Sequence, residues 1–348
     1  MSGLFCVLFF NRIIALFLGM ADFNKLFDGF SSLHVGIIGD VMLDTYMWGK
    51  VDRISPEAPV PIVTLQQKEY RIGGAGNVAL NCRSLGAKAS ILSVTGTDPD
   101  AAVLRELFNK NGIDTSYLVS SASRITTNKM RIISRSQQMM RLDAEITRDL
   151  DTAEEELLLE KVRLFLDQEK PRVVILEDYN KGVLTANVIR SVIADCQARQ
   201  IIVAVDPKRR NFFSYTGVDI FKPNLKEVRD ALNITSGDSG AHDLQSIHQA
   251  LYKELQHRIS FITLSEKGVF YQQGNDGQII PSHIRNIADV SGAGDTVIAV
   301  ASLVYAATND VRLMAEMANI AGGLVCEEVG TAAINKEKLQ QECELLLG

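Results

Sequence analysis

The segment most suggestive of chemistry is residues 290–295, Val-Ser-Gly-Ala-Gly-Asp, which joins a short predicted strand to a long apolar helix. Small residues at a helix start leave its first backbone N–H groups accessible. Together with the helix dipole, these groups can bind a phosphoryl group and its developing charge. Asp295, one step inside the helix, could accept a proton from a hydroxyl beside that anion site. An ordinary helix N-terminus with an acidic residue matched to the dipole would have the same sequence.

A second candidate segment, residues 221–227, ends a predicted strand and opens a helix. Asn224 stands at the N-cap position and Glu227 follows three residues later, which is the spacing of a capping box. The same two residues would lie at the carboxyl edge of the sheet, where open α/β sheets bind ligands, and a glutamate there can hold magnesium through water. The sequence leaves both interpretations open.

Two earlier segments combine tight turns with polar side chains. Gly73 precedes, and Gly74 and Asn77 lie within, a G-x-G-x-x-A pattern over residues 74–79, but polar residues come before it where a dinucleotide site needs a buried strand. We therefore favour a turn that lets the backbone and an amide meet sugar hydroxyls. Asp40 and Asp44 follow the first predicted strand and could bind metal, act as acid and base, or accept hydrogen bonds from a polyol. A simple glycine turn and surface aspartates remain the structural alternatives.

Residues 263–268 end another predicted strand with small polar residues at a turn. This pattern suits a nucleotide phosphate or ribose as well as a simple hairpin. Two common types of site are excluded, because the sequence has no G-x-x-x-x-G-K-[ST] phosphate loop and its five histidines show no metal-ligand spacing.

Strand-like and helix-like patterns alternate from residue 33 onward and end in two apolar helices, over residues 293–307 and 311–329, and an amphipathic tail. This alternation predicts an α/β fold in which a mostly parallel sheet is covered by helices on both faces.

Two segments, about 41–72 and 124–144, interrupt the alternation of strands and helices. Their sequences are typical of extended, half-exposed strands. They predict a small β lid inserted into the body. With no internal repeat and no linker, we expect a single domain over residues 33–348, preceded by an N-terminal extension over residues 1–32.

Composition and charge exclude several classes of protein. The 348 residues are 46% hydrophobic and 22% charged, as in an ordinary globular protein with a full core. The 36 basic and 42 acidic residues give a net charge of −6, which argues against nucleic-acid binding through backbone electrostatics. Five scattered cysteines without C-x-x-C indicate a reducing compartment, and neither a disulfide framework nor a zinc site.

The first nineteen residues are anomalous, being strongly apolar but interrupted by Asn11 and Arg12. A membrane anchor needs about 20 apolar residues, and a signal peptide needs a basic region that residues 1–3 do not supply. We favour a third interpretation, a translated upstream region with the natural start at Met20, and a weak anchor or a signal peptide are the alternatives.

In their order along the chain, the five motifs resemble those of the ribokinase-like (phosphofructokinase-B) family of carbohydrate kinases, over about residues 33–334. The matches are G-D-x-x-x-D at 39–44, G-G-x-x-N at 73–77, N-x-x-E at 224–227, the turn near Ser265 and G-A-G-D at 292–295. Within the family, residues 39–44, 53–61 and 137–143 most resemble the D-glycero-β-D-manno-heptose-7-phosphate kinases of the ADP-heptose route to lipopolysaccharide core. The end at Gly348 resembles the stand-alone kinase rather than the form fused to a nucleotidyltransferase.

The resemblance implies ATP- and Mg²⁺-dependent phosphorylation of the anomeric hydroxyl of a heptose 7-phosphate. It assigns Asp295 as the general base and Gly292, Ala293 and Gly294 as the anion hole. The implied cofactor-binding residues are Asn224, Leu225, Lys226, Glu227, Ser265, Glu266, Lys267 and Gly268, with Glu227 holding Mg²⁺ through water. The implied substrate-binding residues are Asp40, Asp44, Gly73, Gly74, Asn77, Arg53 and Arg141, with Arg71 as a further candidate for the sugar phosphate.

Further expectations follow from the resemblance. The usual Asp-Thr before G-A-G-D is replaced by Asp-Val-Ser at 289–291, which leaves a monovalent-cation site open. The alternatives are a family member acting on ribose, fructose or a hexose phosphate, or a catalytically silent sugar-binding protein. A kinase of a cytosolic pathway predicts a cytoplasmic protein that starts at Met20 and binds neither nucleic acid nor, stably, a membrane. Exposed lid edges predict a homodimer joined through the lid.

Overall fold

A central sheet of eight strands forms the body of the computed structural model, which describes residues 22–135, 137–234, 240–283 and 285–348. The expectation about residues 1–19 lies outside the described residues. The strands of the sheet are β1 (His34–Gly39), β4 (Lys88–Leu92), β9 (Val173–Glu177), β10 (Ile202–Asp206), β11 (Ile220–Phe221), β12 (Ile259–Thr263), β13 (Val269–Gln273) and β14 (Asp276–Ile280).

The order across the sheet is β14-β13-β12-β11-β10-β9-β1-β4. The six strands from β12 to β4 are parallel, and β13 and β14 add an antiparallel hairpin at one edge. Gly39, Glu177 and Asp206 are in register at the ends of three neighbouring strands. Because parallel strands end at one edge, the segments that follow them meet there.

Helices cover both faces of this sheet. They are α1 (Phe23–Gly29), α2 (Ala75–Ser84), α3 (Pro99–Lys110), α4 (Thr152–Glu169), α5 (Ala186–Ala198), α6 (Leu225–Leu232), α7 (Ala241–Leu255), α8 (Ala293–Thr308), α9 (Val311–Val325) and α10 (Lys336–Leu347). Strand β9 shows the two-sided burial, because Val173 and Ile175 pack into one apolar cluster and Val174 and Leu176 into the other. The predicted α/β fold is therefore confirmed.

A second sheet of four strands forms the lid. Its strands are β2 (Val41–Ile54), β3 (Pro61–Gly74), β7 (Thr127–Ser134) and β8 (Gln137–Ala144), in the order β3-β2-β7-β8. The near half of β2 is buried and its far half is mostly exposed, so the lid is anchored at one end and projects from the body at the other. A short pair, β5 (Val94–Thr95) and β6 (Val119–Ser120), completes the strands.

Two boundaries differ from those expected. Residues 22–32, assigned above to an N-terminal extension, include α1, and the side chains of Phe23, Phe27 and Phe30 are buried in the main apolar cluster. Helix α9 ends at Val325 rather than at residue 329, and the carbonyl of its C-cap residue Cys326 accepts hydrogen bonds from the backbone of residues 288 and 289. None of the helices in the described part of the chain is long and apolar enough to cross a membrane.

Candidate active site

The carboxylate of Asp295 lies at the centre of the candidate site, in the first turn of α8, and only 2% of the residue is exposed. Its Oδ2 accepts a hydrogen bond from Nδ2 of Asn77 at 2.8 Å, and its Oδ1 accepts one from the hydroxyl of Tyr179 at 2.7 Å. Burial raises the pKa of Asp295 to about 6; the two hydrogen bonds oppose this rise, and the nearby Asp206 carboxylate adds to it. The side chain is thus a base that is charged at neutral pH.

The turn before Asp295 requires glycine at position 292. Gly292 is the N-cap of α8 with φ 81°, and a Cβ atom there would lie 2.8 Å from Nδ2 of Asn77. A Cβ atom on Gly294 would lie 3.5 Å from Oδ2 of Asp206. The backbone N–H groups of this turn therefore lie close to both the base and the acidic end of β10.

A hydrogen-bond network joins α2 to α8. Nδ2 of Asn81 donates to the carbonyl of Asn77 at 2.8 Å, and Oδ1 of Asn81 accepts from the hydroxyl of Thr296 at 3.0 Å and the backbone N–H of Ile334 at 2.9 Å. Asn81 therefore holds Asn77 in place, and the side-chain amide of Asn77 donates to Asp295.

On the other side of Asp295, cations alternate with carboxylates. Lys222 Nζ lies 2.8 Å from Oδ2 of Asp206, and Lys208 Nζ lies 2.8 Å from Oε1 of Glu227 and 3.8 Å from Asp206. Burial opposes the charge of Lys208, but Asp206 and Glu227 outweigh it and raise the pKa of the ammonium well above its usual value. Lys208 therefore stays charged, and Lys222 Nζ lies beside the first turn of α8, 3.7 Å from the position of a Cβ atom on Gly294.

The predicted capping box is present at the start of α6. Oδ1 of Asn224 accepts from the backbone N–H of Glu227 at 2.8 Å, and Oε2 of Glu227 accepts from the backbone N–H of Asn224 at 2.8 Å. Both side chains also line the large pocket, so the structural and the ligand-facing interpretations hold together.

That pocket has a volume of about 1190 Å³ and runs from α6 to the start of α8. The proposed cofactor-binding and anion-hole residues all line it: Asn224, Leu225, Lys226, Glu227, Ser265, Glu266, Lys267, Gly268, Gly292, Ala293, Gly294 and Asp295. Gly268 has φ 98°, and a Cβ atom there would collide with the carbonyl oxygen of Ile280. The structure therefore brings three separate sequence motifs to one cavity of a size that suits a nucleotide.

The two early aspartates are engaged within the protein. Asp40 is 1% exposed, and its carboxylate accepts three backbone N–H groups, from Tyr179, Lys181 and Val183, at 2.8–3.1 Å. Asp44 is paired with Nη1 of Arg131 at 2.5 Å. Asp40 thus fixes the turn after β9, and Asp44 fixes a lid arginine.

The glycines of the second motif lie against these aspartates. A Cβ atom on Gly73 would collide with Oδ2 of Asp44, and one on Gly74, whose φ is 58°, would collide with the carbonyl oxygen of Asp40. Asp40, Asp44, Gly73, Gly74 and Asn77 therefore form one side of the site at the base of the lid.

The three candidate arginines are dispersed. Arg53 is exposed near the far end of β2, nine residues beyond Asp44, which is about 30 Å along an extended strand. Arg141 pairs with Asp143 at 2.8 Å and faces the base of the lid. Arg71 donates to the carbonyl oxygens of Val329 at 2.9 Å and Thr331 at 3.3 Å. Arg141 thus lies near Lys129 and Lys181 at the base of the lid. Arg53 is distant from the site, and Arg71 binds backbone carbonyls.

Several site residues were not identified from the sequence: Glu177, Tyr179, Asp206, Lys208, Lys222 and Lys129. The first five end or directly follow strands β9, β10 and β11. Their position at the carboxyl edge of a parallel sheet is the signal that could have found them. Lys129, on β7, has no comparable signal.

The described residues contain no cluster of three or more His, Cys, Asp or Glu side chains that could hold a metal by themselves. A cation here would therefore need further ligands, such as water or substrate oxygens, in addition to protein carboxylates. The carboxylate of Asp289, at the possible monovalent-cation site, accepts from the backbone and hydroxyl of Ser291 at 3.0 and 2.9 Å and from the backbone of Gly330 at 2.9 Å.

The sequence profile of the pfkB family carbohydrate kinases matches residues 33–338. The chain belongs to that family. The bifunctional proteins HldE of Methylobacillus flagellatus and Geobacter sulfurreducens are 39% and 36% identical to this carbohydrate kinase, over 91% of its length. The match covers 64% of each of those proteins, so the chain spans just under two thirds of these curated relatives.

Solved structures of the family share the fold. Phosphofructokinase-2 from Escherichia coli in complex with substrates and products superposes with a TM-score of 0.74 at 16% identity, covering 91% of this chain and 99% of that chain. Arabidopsis thaliana ribokinase complexed with ribose and ATP gives a TM-score of 0.68 at 15% identity, covering 89% and 99%. The family resemblance stated from the motifs is confirmed.

Substitution of Gly292 by alanine tests the steric requirement of the turn. Gly292→Ala would place a methyl group against the amide of Asn77, and we expect at least about a 100-fold loss of turnover because the base is displaced. ADP release with an accepted sugar measures this loss.

The matched control is Gly86→Ala, since Gly86 has φ 100° but nothing within 4 Å of its added Cβ atom. It should lose about 1–2 kcal/mol of stability from the left-handed backbone and keep its turnover. Equal turnover of the two variants would contradict the steric account.

Proposed function

We propose that this kinase transfers a phosphoryl group from ATP to the anomeric hydroxyl of D-glycero-β-D-manno-heptose 7-phosphate, giving the 1,7-bisphosphate for ADP-heptose and lipopolysaccharide core synthesis. The observation that carries the proposal is the buried carboxylate of Asp295 at the N-terminus of α8, between the lid base and the large pocket. A base beside an anion-binding turn is what phosphoryl transfer to a hydroxyl requires.

The residues of the chain divide the reaction between them. Asp295 takes the proton of the sugar hydroxyl, and the backbone N–H groups of the turn from Gly292 to Gly294 stabilise charge on the group in transfer. Lys222, whose ammonium is held beside that turn by Asp206, adds a fixed positive charge. Sugar hydroxyls bind at the lid base, and the turn of Asp40, Gly74 and Asn77 orients them.

ATP with Mg²⁺ would supply the phosphoryl group and neutralise its charge. Residues 224–227 and 265–268 would hold the nucleotide, since both segments line the pocket. Both oxygens of Glu227 already accept hydrogen bonds, from Lys208 and from the backbone of Asn224, so the carboxylate would hold Mg²⁺ through water. Few protein carboxylates are available as ligands here, which fits Mg²⁺ because this ion usually keeps several water and phosphate ligands.

The heptose subgroup is supported by residues 39–44, 53–61 and 137–143 and by the 39% and 36% identity to the bifunctional proteins HldE. The chain covers 64% of those proteins, which are named bifunctional. Dependence on a monovalent cation stays a prediction.

A screen of ADP release across sugars and sugar phosphates tests the substrate. We expect the highest kcat/KM with the heptose 7-phosphate, and a higher value with ribose, fructose or a hexose phosphate would contradict the assignment. Sugar-dependent thermal stabilisation without ADP release would indicate a silent binding protein.

In the same assay, Asp295→Asn should lose at least about 100-fold in kcat with nearly unchanged ATP binding, because only the base is removed. Asp219→Asn is the control, since Asp219 is a partly buried carboxylate far from the turn that accepts from the backbone of Val203 at 2.9 Å, and an amide oxygen can accept the same bond. Normal turnover of Asp295→Asn would contradict the mechanism.

We place the sugar phosphate beside Lys129 at the lid base. Burial lowers the pKa of its ammonium, and Asp44, Lys181 and Arg141 lie within electrostatic range of it. Lys181 and Arg141 each pair with an acidic neighbour, whereas Lys129 forms no ion pair with any residue in the described ranges. Lys129, Lys181 and Arg141 thus form a cluster of three cations in which the Lys129 ammonium is available to bind a phosphate dianion.

Lys129→Met should raise the KM for the sugar phosphate about 10- to 100-fold and leave the KM for ATP nearly unchanged, since a charge-assisted hydrogen bond is lost on the sugar side only. Lys68→Met is the matched control, because Lys68 is also a lid lysine over an aromatic ring, 4.8 Å from the centroid of Tyr70. Steady-state kinetics measure both variants. If the KM for the sugar phosphate changed equally in Lys129→Met and Lys68→Met, Lys129 would not be a phosphate ligand.

We further propose that the lid joins two copies into a homodimer. Strands β3 and β8 are the edges of the lid sheet, and exposed edges tend to be covered. Large apolar side chains are exposed on the lid: Ile54, Val60, Leu65, Met139, Met140 and Leu142. On β8, Met140 and Leu142 lie on the face opposite Arg141, so an apolar outer face accompanies a charged inner one.

Light scattering after gel filtration tests the dimer. The wild-type protein should elute as a dimer and Met140→Glu as a monomer, because a charge would be buried in the interface. A wild-type protein that is monomeric at every concentration would contradict the proposal.

A further inference from the structure

Tyr179 contacts both sides of the active site. Its hydroxyl donates to Oδ1 of Asp295 at 2.7 Å, and its backbone N–H donates to Oδ2 of Asp40 at 2.8 Å. One residue thus bonds the proposed base through its side chain and the carboxylate at the lid base through its main chain.

The ring of Tyr179 lies between two lysines from different parts of the chain. Nζ of Lys129, on the lid, is 5.3 Å from the ring centroid, and Nζ of Lys208, on the side of the large pocket, is 5.7 Å from it. Both distances allow cation–π attraction. Lys129 is on the proposed sugar side and Lys208 contacts Glu227 on the proposed nucleotide side, so the ring lies against a cation from each side.

We propose that Tyr179 is the positioning residue of the base: its hydroxyl fixes one carboxylate oxygen of Asp295 while Asn77 fixes the other, and its ring links the sugar side to the nucleotide side. Each carboxylate oxygen keeps a further lone pair for the sugar hydroxyl. This inference rests on the proposed role of Asp295 as the base.

The electrostatic consequence depends on every group that faces Asp295. Tyr179 and Asn77 donate hydrogen bonds to the charged carboxylate and lower its pKa, and Lys222 does so through its charge. Asp206 acts in the opposite direction. Removal of the Tyr179 hydroxyl therefore raises the pKa of Asp295 above its value of about 6.

Glu177 also faces this group, from the end of β9. It is fully buried, and neither carboxylate oxygen has a hydrogen-bond partner in the described structure. Burial, with Asp206 and Asp295 nearby, raises the pKa of Glu177 well above its usual value. Glu177 is retained when the Tyr179 hydroxyl is removed, so its influence on Asp295 is common to the wild type and the variant.

The chain contains a matched tyrosine. Tyr215 is fully buried, and its hydroxyl donates to Oδ2 of Asp178 at 2.7 Å, so it makes the same type of bond at the same length to the residue beside Tyr179. A tyrosine–carboxylate bond that only stabilises the fold is thus available for comparison.

The pH dependence of kcat/KM for Tyr179→Phe and Tyr215→Phe tests the inference. Activity needs the charged carboxylate and falls as pH drops through the pKa of Asp295. A rise of about one unit in Tyr179→Phe should lower kcat/KM roughly fivefold at pH 6 and hardly at pH 8. Tyr215→Phe should keep the wild-type acid limb even if it melts at a lower temperature. An unshifted acid limb in Tyr179→Phe, or an equal shift in both variants, would overturn the proposal.

A titration without substrate separates this inference from the proposed function. In protein labelled with ¹³C at the aspartate carboxyl carbon, the Asp295 signal is assigned by its absence in Asp295→Asn. Its midpoint should be near 6 in the wild type and about one unit higher in Tyr179→Phe. An unchanged midpoint overturns the inference even if the kinase acts on the heptose 7-phosphate. A shifted midpoint in a protein that phosphorylates another sugar supports it and contradicts only the substrate.

Discussion

The structure depends on keeping one buried carboxylate charged. An ionised group removed from water is costly unless hydrogen bonds and local dipoles replace its hydration. For Asp295 that replacement comes from Asn77 on α2, Tyr179 after β9 and the first turn of α8, which carries it. These three elements meet only where the parallel strands end, so the reactive group can be assembled only by the completed sheet edge.

From this carboxylate the two halves of the site differ in kind. The proposed nucleotide side is an open pocket bordered by alternating lysines and carboxylates, which suits a ligand with several negative charges. The proposed sugar side is made of groups already held by the protein: Asp40 accepts three backbone N–H groups and Asp44 holds Arg131. A preformed polar surface of this kind orients a polyol with little rearrangement.

The sequence predicted features whose cause is local, and missed those that depend on which strands are neighbours. The capping box at Asn224 and Glu227 and the glycine at position 292 depend on residues within one turn, and both were expected. Tyr179 was missed, because its role arises from contact with a helix more than a hundred residues away. The end of α9 was misplaced for the same reason, since Cys326 is capped by residues 288 and 289.

The central claim is that Asp295 directs phosphoryl transfer to the anomeric oxygen of a sugar that already carries a phosphate. ³¹P NMR of the product formed from ATP and the heptose 7-phosphate tests it most directly. The account predicts a new phosphomonoester signal coupled to the anomeric proton, with the 7-phosphate signal retained. A new phosphate on any other carbon, or ADP formed without a second sugar phosphate signal, would contradict it.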